Sequence, residues 1–260
     1  MRRSVLVVGD ADAAEFAPAV SALRELADCH FAGSLRDLGQ FPAESPAWIV
    51  LLQGRSGQFS TRETAAVRRR FPLAQWGAIT GFWTAGELRT GQPLSGVQTI
   101  PWETAAARLT AIFSAAADLA PITASPEEAI VRDLEKLDAL SGLAVIAADR
   151  QSDFQYWADA VRGLGMSAVW RTPGGRVHAA AIAAAIYLPS DWGPNQADQA
   201  ARFLADHPAE SRILSVGLPR WEDRQLAEQV GFTAILGRPF RLRDLQLAIS
   251  AAPTAGNTAS

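Results

Sequence analysis

The fold is decided by two apolar runs that each end in an aspartate, VLVVGD at residues 5–10 and LAVIAAD at residues 143–149. Several consecutive aliphatic residues before a turn are typical of a strand covered on both faces, as in a parallel sheet. Similar alternations of short apolar runs and helical patterns follow both stretches. The sequence therefore predicts two α/β halves of the same layout, which look like a duplication.

Each half is predicted to hold five strands that alternate with helices. In the first half we expect strands near residues 5–8, 29–32, 48–52, 75–80 and 97–100, and helices near 13–27, 61–70 and 102–116. In the second half we expect strands near 143–147, 167–171, 184–188, 212–216 and 233–236, and helices near 152–163, 195–206, 220–230 and 242–251.

A segment with a helix-start signal separates the halves. Ser125-Pro126-Glu127-Glu128 combines an N-cap serine, a proline at the first helical position and a capping-box glutamate. An apolar stripe follows at Ile130, Val131, Leu134 and Leu137. This pattern predicts a helix that packs on a neighbouring domain or, alternatively, mediates dimerisation. We divide the chain into domains at 1–120 and 142–252, a connecting helix at 121–141 and a disordered tail at 253–260.

The composition is that of a globular protein, with 260 residues, 48% of them hydrophobic and 20% charged. The formal net charge of −3 gives no overall attraction for a phosphate backbone, so we expect no nucleic-acid partner. No apolar run reaches the length of a membrane span and no signal peptide is evident, so we expect no membrane partner and a cytoplasmic location. The single cysteine, Cys29, excludes an intramolecular disulfide and a multi-cysteine metal site.

The end of the second half reads TAILGRPF at residues 233–240, followed by a helix that turns Leu242, Leu245 and Ile249 inward. This resembles the end of a response-regulator receiver domain, whose fifth strand closes with Lys-Pro-Phe or Lys-Pro-hydrophobic before the last helix. The resemblance covers residues 142–252 and, more weakly, 4–117. It implies two flavodoxin-like (βα)5 domains in tandem, each a doubly wound parallel sheet.

Receiver chemistry uses two acids after the first strand to hold Mg²⁺, an aspartate after the third strand to accept phosphate, a hydroxyl after the fourth and a lysine after the fifth. The metal and the lysine neutralise charge on the transferring phosphoryl group. The second half keeps Asp149 and has Arg238 in place of the lysine. Asp191 lies two to three residues past the end of the third strand, so it would reach the phosphoacceptor position only through a loop adjustment. The first half keeps Asp10, has Thr80 near the end of the fourth strand, and has Gln53 as the acceptor, whose amide cannot form an acyl phosphate.

The only lysine of the chain, Lys136, lies on the predicted connecting helix, outside both halves. Arginine carries the same charge as lysine but presents it as a planar fork. We therefore interpret both halves as pseudo-receivers that have lost phosphotransfer. Asp10 and Asp149 then serve as loop or capping residues rather than as metal ligands.

The most unusual segment is the glycine-rich stretch 76–96, where a receiver would place its fourth helix. We expect a structured loop at the carboxyl edge of the sheet, which is where open α/β sheets bind ligands. Trp83, Glu87 and Arg89, together with Asp10, are candidate binding residues there. The alternative is a structural loop in which Trp83 covers the core and Glu87 pairs with Arg89.

No catalytic or cofactor motif is evident. His30, His178 and His207 have no metal-ligand spacing, and no nucleophile elbow or phosphate-binding glycine loop follows a strand. We expect no enzyme activity, no metal and no cofactor.

The leading functional hypothesis is a non-catalytic signalling module that binds a protein partner. The resemblance also implies a homodimer through residues around 220–250, and a dimer that is insensitive to salt would fit an apolar face there. The alternative is a small-ligand sensor or enzyme that uses the loop from Trp83 to Arg89. A third possibility is that Asp191 is an active phosphoacceptor.

Overall fold

The computed structural model describes residues 2–40, 45–84, 94, 96–114, 128, 131, 134, 137–172, 174–175, 177–179 and 181–250. The chain folds as two compact units, Met1–Ile130 and Val131–Ser260. The predicted tail at 253–260 lies outside the described residues. Of the predicted connecting helix, Glu128, Val131 and Leu134 are helical, whereas residues 137–141 are not.

The first unit contains a parallel five-stranded sheet in the order β2-β1-β3-β4-β5. The strands are β1 (Arg3–Gly9), β2 (Ala27–Ala32), β3 (Trp48–Arg55), β4 (Gln75–Trp83) and β5 (Gln98–Pro101). The α-helices are α1 (Ala17–Leu26), α2 (Thr61–Arg70) and α3 (Trp102–Ser114), with short 3-10 helices at Ala14–Phe16 and Asp37–Gln40.

Alternation along the strands gives this sheet two apolar faces. One face packs Leu6, Ile49 and Trp76 against Val67 of α2 and the neighbouring Phe71. On the opposite face α1 and α3 contact each other. The sheet is therefore covered on both sides, which explains why its central strands are almost wholly apolar.

The second unit has the same topology, a parallel sheet in the order β10-β9-β8-β6-β7. The strands are β6 (Leu143–Ala148), β7 (Ser167–Arg171), β8 (Ala184–Leu188), β9 (Ser211–Val216) and β10 (Ala234–Gly237). The helices are α4 (Gln151–Gly163), α5 (Pro194–Asp206), α6 (Trp221–Val230) and α7 (Leu242–Ser250).

Helices cover both faces of the second sheet. Ile146 packs with Trp157 of α4 and Leu245 of α7, whereas Val145 on the other face packs with Phe203 of α5 and Ala227 of α6. In each unit the segment that joins the second strand to the third contains no α-helix among the described residues. That connection holds the 3-10 helix Asp37–Gln40 in the first unit and no helix among the described residues of 172–183 in the second.

Each unit is thus a flavodoxin-like, doubly wound α/β fold, as the sequence predicted. The first strand of each lies between the second and the third, so the chain reverses direction across the sheet at this point. The carboxyl edge beside such a reversal is the usual ligand position of open α/β sheets. Among the described residues, none of the helices combines the length and apolarity needed to cross a bilayer.

Candidate functional site

The structure brings Asp10 and Gln53 to the same edge of the first sheet. Gly9 pairs with Leu52, so the residues that follow them lie at the ends of neighbouring strands. Asp10 is exposed and its Oδ1 accepts the backbone N–H of Asp12 at 3.1 Å. Gln53 is only 2% exposed. Asp10 therefore holds a local turn, while the Gln53 side chain is buried in β3.

Glu15, which the sequence analysis missed, enters this edge from the short 3-10 helix before α1. Its Oε2 accepts the backbone N–H of Phe82 at 3.2 Å. A Cβ atom added to Gly81 would lie 2.3 Å from Glu15 Oε1, so the carboxylate is packed directly on the strand. The edge of the first sheet is therefore already filled by an anionic group of the chain itself.

Gln58 closes the end of β3 next to this carboxylate. Its side-chain oxygen accepts the N–H of Gly54 at 2.9 Å, and its amide nitrogen donates to the carbonyl of Leu52 at 3.1 Å. The Gly54 N–H and the Leu52 carbonyl are thus paired within the chain. No motif in the sequence identifies either residue. Gln58 acts through the local backbone geometry of β3, and Glu15 reaches Phe82 only through the tertiary fold.

Trp83 ends β4, which extends three residues beyond the predicted strand end at Thr80. The Trp83 side chain is 76% exposed and packs edge-on against Phe82, with ring centroids 5.1 Å apart. The alternative that Trp83 covers the core is therefore wrong. Glu87 and Arg89, the other residues predicted in this loop, lie outside the described residues.

In the second unit, Asp149 and the loop after β8 meet at the carboxyl edge of the sheet. The hydroxyl of Ser190 donates to Asp149 Oδ2 at 3.0 Å. The Asp191 carboxylate accepts the backbone N–H of Trp192 at 2.9 Å. Both acids are exposed and serve in local hydrogen bonds.

A cavity of about 310 Å³ opens at the ends of β8, β9 and β10. It brings together Asp191 and Arg238, two of the degenerate receiver positions, whereas Asp149 does not line it. Residues that the sequence analysis did not assign to a site complete the lining, chiefly Trp192, Leu218, Arg220 and Asp223. Trp192 directly follows Asp191 in the sequence, and this adjacency could have indicated that Trp192 lies at the same site.

Arg238 is held at the base of this cavity by its backbone, whose N–H donates to the carbonyl of Val216 at 2.9 Å. Its Nη2 makes a long hydrogen bond of 3.4 Å to the carbonyl of Pro189. Within the described part of the chain, the shielded Nε has no hydrogen-bond partner. The residue that replaces the receiver lysine therefore presents a poorly satisfied guanidinium to the cavity.

Tyr187 lies on β8 near the same edge and is almost fully buried. Burial raises the pKa of its hydroxyl, the charge of Asp149 raises it further, and Arg171 opposes both effects. The hydroxyl lies 3.4 Å from Gln196 Oε1. It is therefore a neutral hydrogen-bonding group at physiological pH.

The helix α6 is one element of the predicted dimer surface at residues 220–250. The exposed side chains of α6 are polar: Glu222, Gln225, Glu228 and Gln229. Arg224 forms an ion pair with Glu228 at 2.8 Å. A dimer through this helix stays a prediction.

The candidate metal ligands do not converge in the described residues, which contain no group of three or more histidine, cysteine, aspartate or glutamate side chains placed to hold an ion. His207 is 1% exposed, and its Nδ1 lies 2.9 Å from the carbonyl of Phe203 within α5. This histidine therefore has a structural role.

Comparison with known proteins gives no family assignment. No protein-family model matches the chain, and no curated protein matches it. Among solved structures it is similar to one described as "Crystal structure of putative two-component system response regulator/ggdef domain protein", with 10% identity over 94% of this chain and 95% of that one and a TM-score of 0.29. Similarity at this level does not show a shared function.

Proposed function

We propose that this chain is a non-catalytic regulatory module of two receiver-like units that acts by binding another protein. The observation that carries the proposal is the Glu15 carboxylate on the Phe82 N–H. An anion bound to a backbone amide at the end of β4 occupies space at the sheet edge where a receiver would work on phosphate. The first unit then keeps the fold without the reaction.

The second unit supports the same proposal through its side-chain chemistry. Arg238 stands where the receiver lysine would be, and a planar guanidinium does not reproduce the compact charge of an ammonium group. The carboxylate of Asp191 is engaged by the neighbouring amide of Trp192. A phosphoacceptor needs a carboxylate oxygen that is aimed at the donor, with cations on both sides.

Exposed aromatic surface supports binding to a protein. Trp83 is 76% exposed at the end of a strand that is otherwise mostly buried. Tryptophan is enriched at the centres of protein interfaces because its large ring buries much apolar area. The Phe82–Trp83 pair therefore forms the contact surface in our proposal.

Intact mass spectrometry after incubation with acetyl phosphate and Mg²⁺ tests the loss of phosphotransfer. We expect no added phosphoryl mass. A stoichiometric increase that disappears in Asp191→Asn would overturn the non-catalytic assignment and make Asp191 a phosphoacceptor.

Affinity capture from a lysate of the source cells tests the binding role, with Trp83→Ala as the variant and Leu73→Ala as the matched control. Leu73 is 91% exposed in the same unit, so its replacement removes a comparable apolar group elsewhere. We expect a protein captured by the wild type and Leu73→Ala to be lost with Trp83→Ala. Equal capture by all three would reject Trp83 as the contact surface, and capture of nothing would favour the small-ligand alternative.

A further inference from the structure

We propose that the cavity at the carboxyl edge of the second sheet binds a small organic anion, whose carboxylate or phosphate group pairs with Arg238. The cavity is lined from β8, β9 and β10 and from the loops that follow them. Its volume of about 310 Å³ lies at the lower end of the range found for small-molecule sites, which begins at about 300 Å³. The site is distinct from the Phe82–Trp83 surface and does not depend on it.

The charge of Arg238 is the first argument. Among the described residues the Arg238 guanidinium has no carboxylate partner, and its one hydrogen bond there runs from Nη2 to the carbonyl of Pro189 at 3.4 Å. Its Nε is shielded from solvent and is not hydrogen bonded within the described part of the chain. A partly buried guanidinium left in this state is costly, and a carboxylate or phosphate satisfies it through paired N–H donors.

The acids of the cavity are already committed to backbone donors. Asp191 Oδ1 accepts the N–H of Trp192 at 2.9 Å, and Asp223 Oδ2 accepts the N–H of Arg220 at 2.8 Å. The second contact caps the first turn of α6. These bonds hold the two carboxylates in the loops at the rim of the cavity, and neither acid forms an ion pair with Arg238 among the described residues.

An apolar wall next to this charge indicates an organic ligand rather than an inorganic ion. The indole N–H of Trp192 donates to the carbonyl of Asp223 at 3.2 Å, and its ring packs edge-on against Phe232 at 5.9 Å. These contacts fix the ring as one side of the cavity. Leu218, which is 58% exposed, adds apolar surface at the rim. A cation beside two apolar groups fits an anion that carries a hydrophobic body.

The test uses the full chain labelled with 5-fluorotryptophan, in which the Trp192 signal among eight tryptophans is assigned by its loss in Trp192→Phe. Benzoate and phenyl phosphate serve as anionic probes and benzyl alcohol as their neutral counterpart. We expect the Trp192 signal to shift saturably with at least one anion, with a Kd of about 1 mM or tighter. The anion that binds more tightly identifies the head group.

Two variants and a control separate this site from nonspecific binding. Arg238→Gln is expected to weaken binding of the anionic probe by at least tenfold, since a charge-assisted contact is lost. Leu218→Asp, at an exposed position, is expected to weaken it through charge repulsion and serves as the deciding variant if Arg238→Gln does not fold. Arg224→Gln, which removes an arginine outside the cavity, is expected to bind as the wild type does.

Three results would overturn the proposal. The first is the absence of a saturable shift with either anion. The second is equal binding of benzyl alcohol, and the third is unchanged affinity in folded Arg238→Gln or in Leu218→Asp.

Discussion

The carboxylate of Glu15 lies 3.2 Å from the backbone nitrogen of Phe82, although the two residues are separated by 67 positions in the chain. The contact joins the helical turn after β1 to the end of β4. It places a negative charge on a strand end whose amide would otherwise face an open edge. The first unit therefore carries its own anion at the edge where related topologies bind their ligands.

Replacement of Glu15 or Gly81 is expected to disturb the same contact. Glu15→Ala removes the hydrogen bond from the Phe82 N–H to the carboxylate and should lower the free energy of unfolding by about 1–3 kcal/mol. Gly81→Ala should cost a similar amount, because its Cβ would lie 2.3 Å from Glu15 Oε1 and displace the carboxylate. Urea unfolding followed by circular dichroism measures both.

The double variant isolates the interaction. Once Glu15 is alanine, Gly81→Ala has little left to displace, so the two costs should fall short of additivity by about 1–2 kcal/mol. Additive costs would mean that the carboxylate is not packed on Gly81 in solution.

Gly9→Ala is expected to be among the most damaging single changes in the first unit. Gly9 has a φ of 129°, and an added Cβ would lie 2.6 Å from the carbonyl oxygen of Leu52. Backbone strain and this clash together predict a loss of about 3 kcal/mol. Gly54→Ala is the matched control, since the nearest atom to its Cβ would be 3.7 Å away. Equal effects of the two substitutions in thermal unfolding would contradict the close approach of Gly9 to Leu52 at the end of β1.

The Glu63 carboxyl is expected to make stability depend on pH. Its hydrogen bond with the Ser60 side chain lowers the pKa of Glu63 most, and Arg36 at 2.7 Å lowers it further. Because the folded pKa is below the ordinary value of 4.5, the stabilisation is present above pH 4.5 and is lost as pH falls through the folded pKa. Glu63→Gln should be less stable than wild type at pH 7.

Urea midpoints recorded from pH 7 to pH 3 check this expectation. The difference between wild type and Glu63→Gln should shrink as the wild-type carboxyl is protonated. A difference that stays constant over this range would show that the charge of Glu63 contributes nothing to the capping box.

Cys29 is expected to react slowly with thiol reagents. Burial raises the pKa of its thiol most; the charge of Arg24 lowers it, and Asp28 raises it. Since only the thiolate is nucleophilic, alkylation by iodoacetamide at pH 8 should be slower than that of glutathione. Cys29 is the only cysteine, so the measured rate belongs to one site.

Substitutions of Arg24 and Asp28 test the direction in which each charge shifts the pKa of the Cys29 thiol. Arg24→Gln should slow the alkylation of Cys29 and Asp28→Asn should accelerate it, each by less than about tenfold, the change in thiolate for one pKa unit. A faster reaction in Arg24→Gln would show that burial, and not charge, controls access to the thiol.

The local sequence was sufficient to predict most of the strands and helices. β7 and β8 occupy the predicted residues 167–171 and 184–188, because short runs of strand-forming residues bounded by turn residues have few alternatives. The predicted bounds of the first helix were less accurate. It was expected from residue 13 but begins at Ala17, with Pro18 in its first turn, and Ala27 already belongs to β2. Pro18 was the unused signal for this start.

Pairing between β3 and β4 determined where β4 ends, which the local sequence pattern did not predict. β4 was expected to end at Thr80 but continues to Trp83, whose register partner is Arg55 on β3. That continuation exposes Trp83 at the end of the strand and draws Phe82 next to Glu15. Neither consequence is visible in the composition of residues 80–83, because register is a property of two strands together.

The sequence by itself determined a parallel α/β fold, since apolar runs of strand length alternate with helical patterns, and it determined that neither half carries a lysine. The doubly wound form was implied only by the resemblance of residues 233–240 to the end of a receiver. The sequence also identified Asp191 and Arg238 as candidate residues, but it did not show that they line the same cavity. Only the tertiary structure placed Trp192 and Leu218 beside Arg238 and brought Glu15 to Phe82. These contacts join side chains that are remote in sequence, and they arise only once parallel strands align their carboxyl ends at one edge of each sheet.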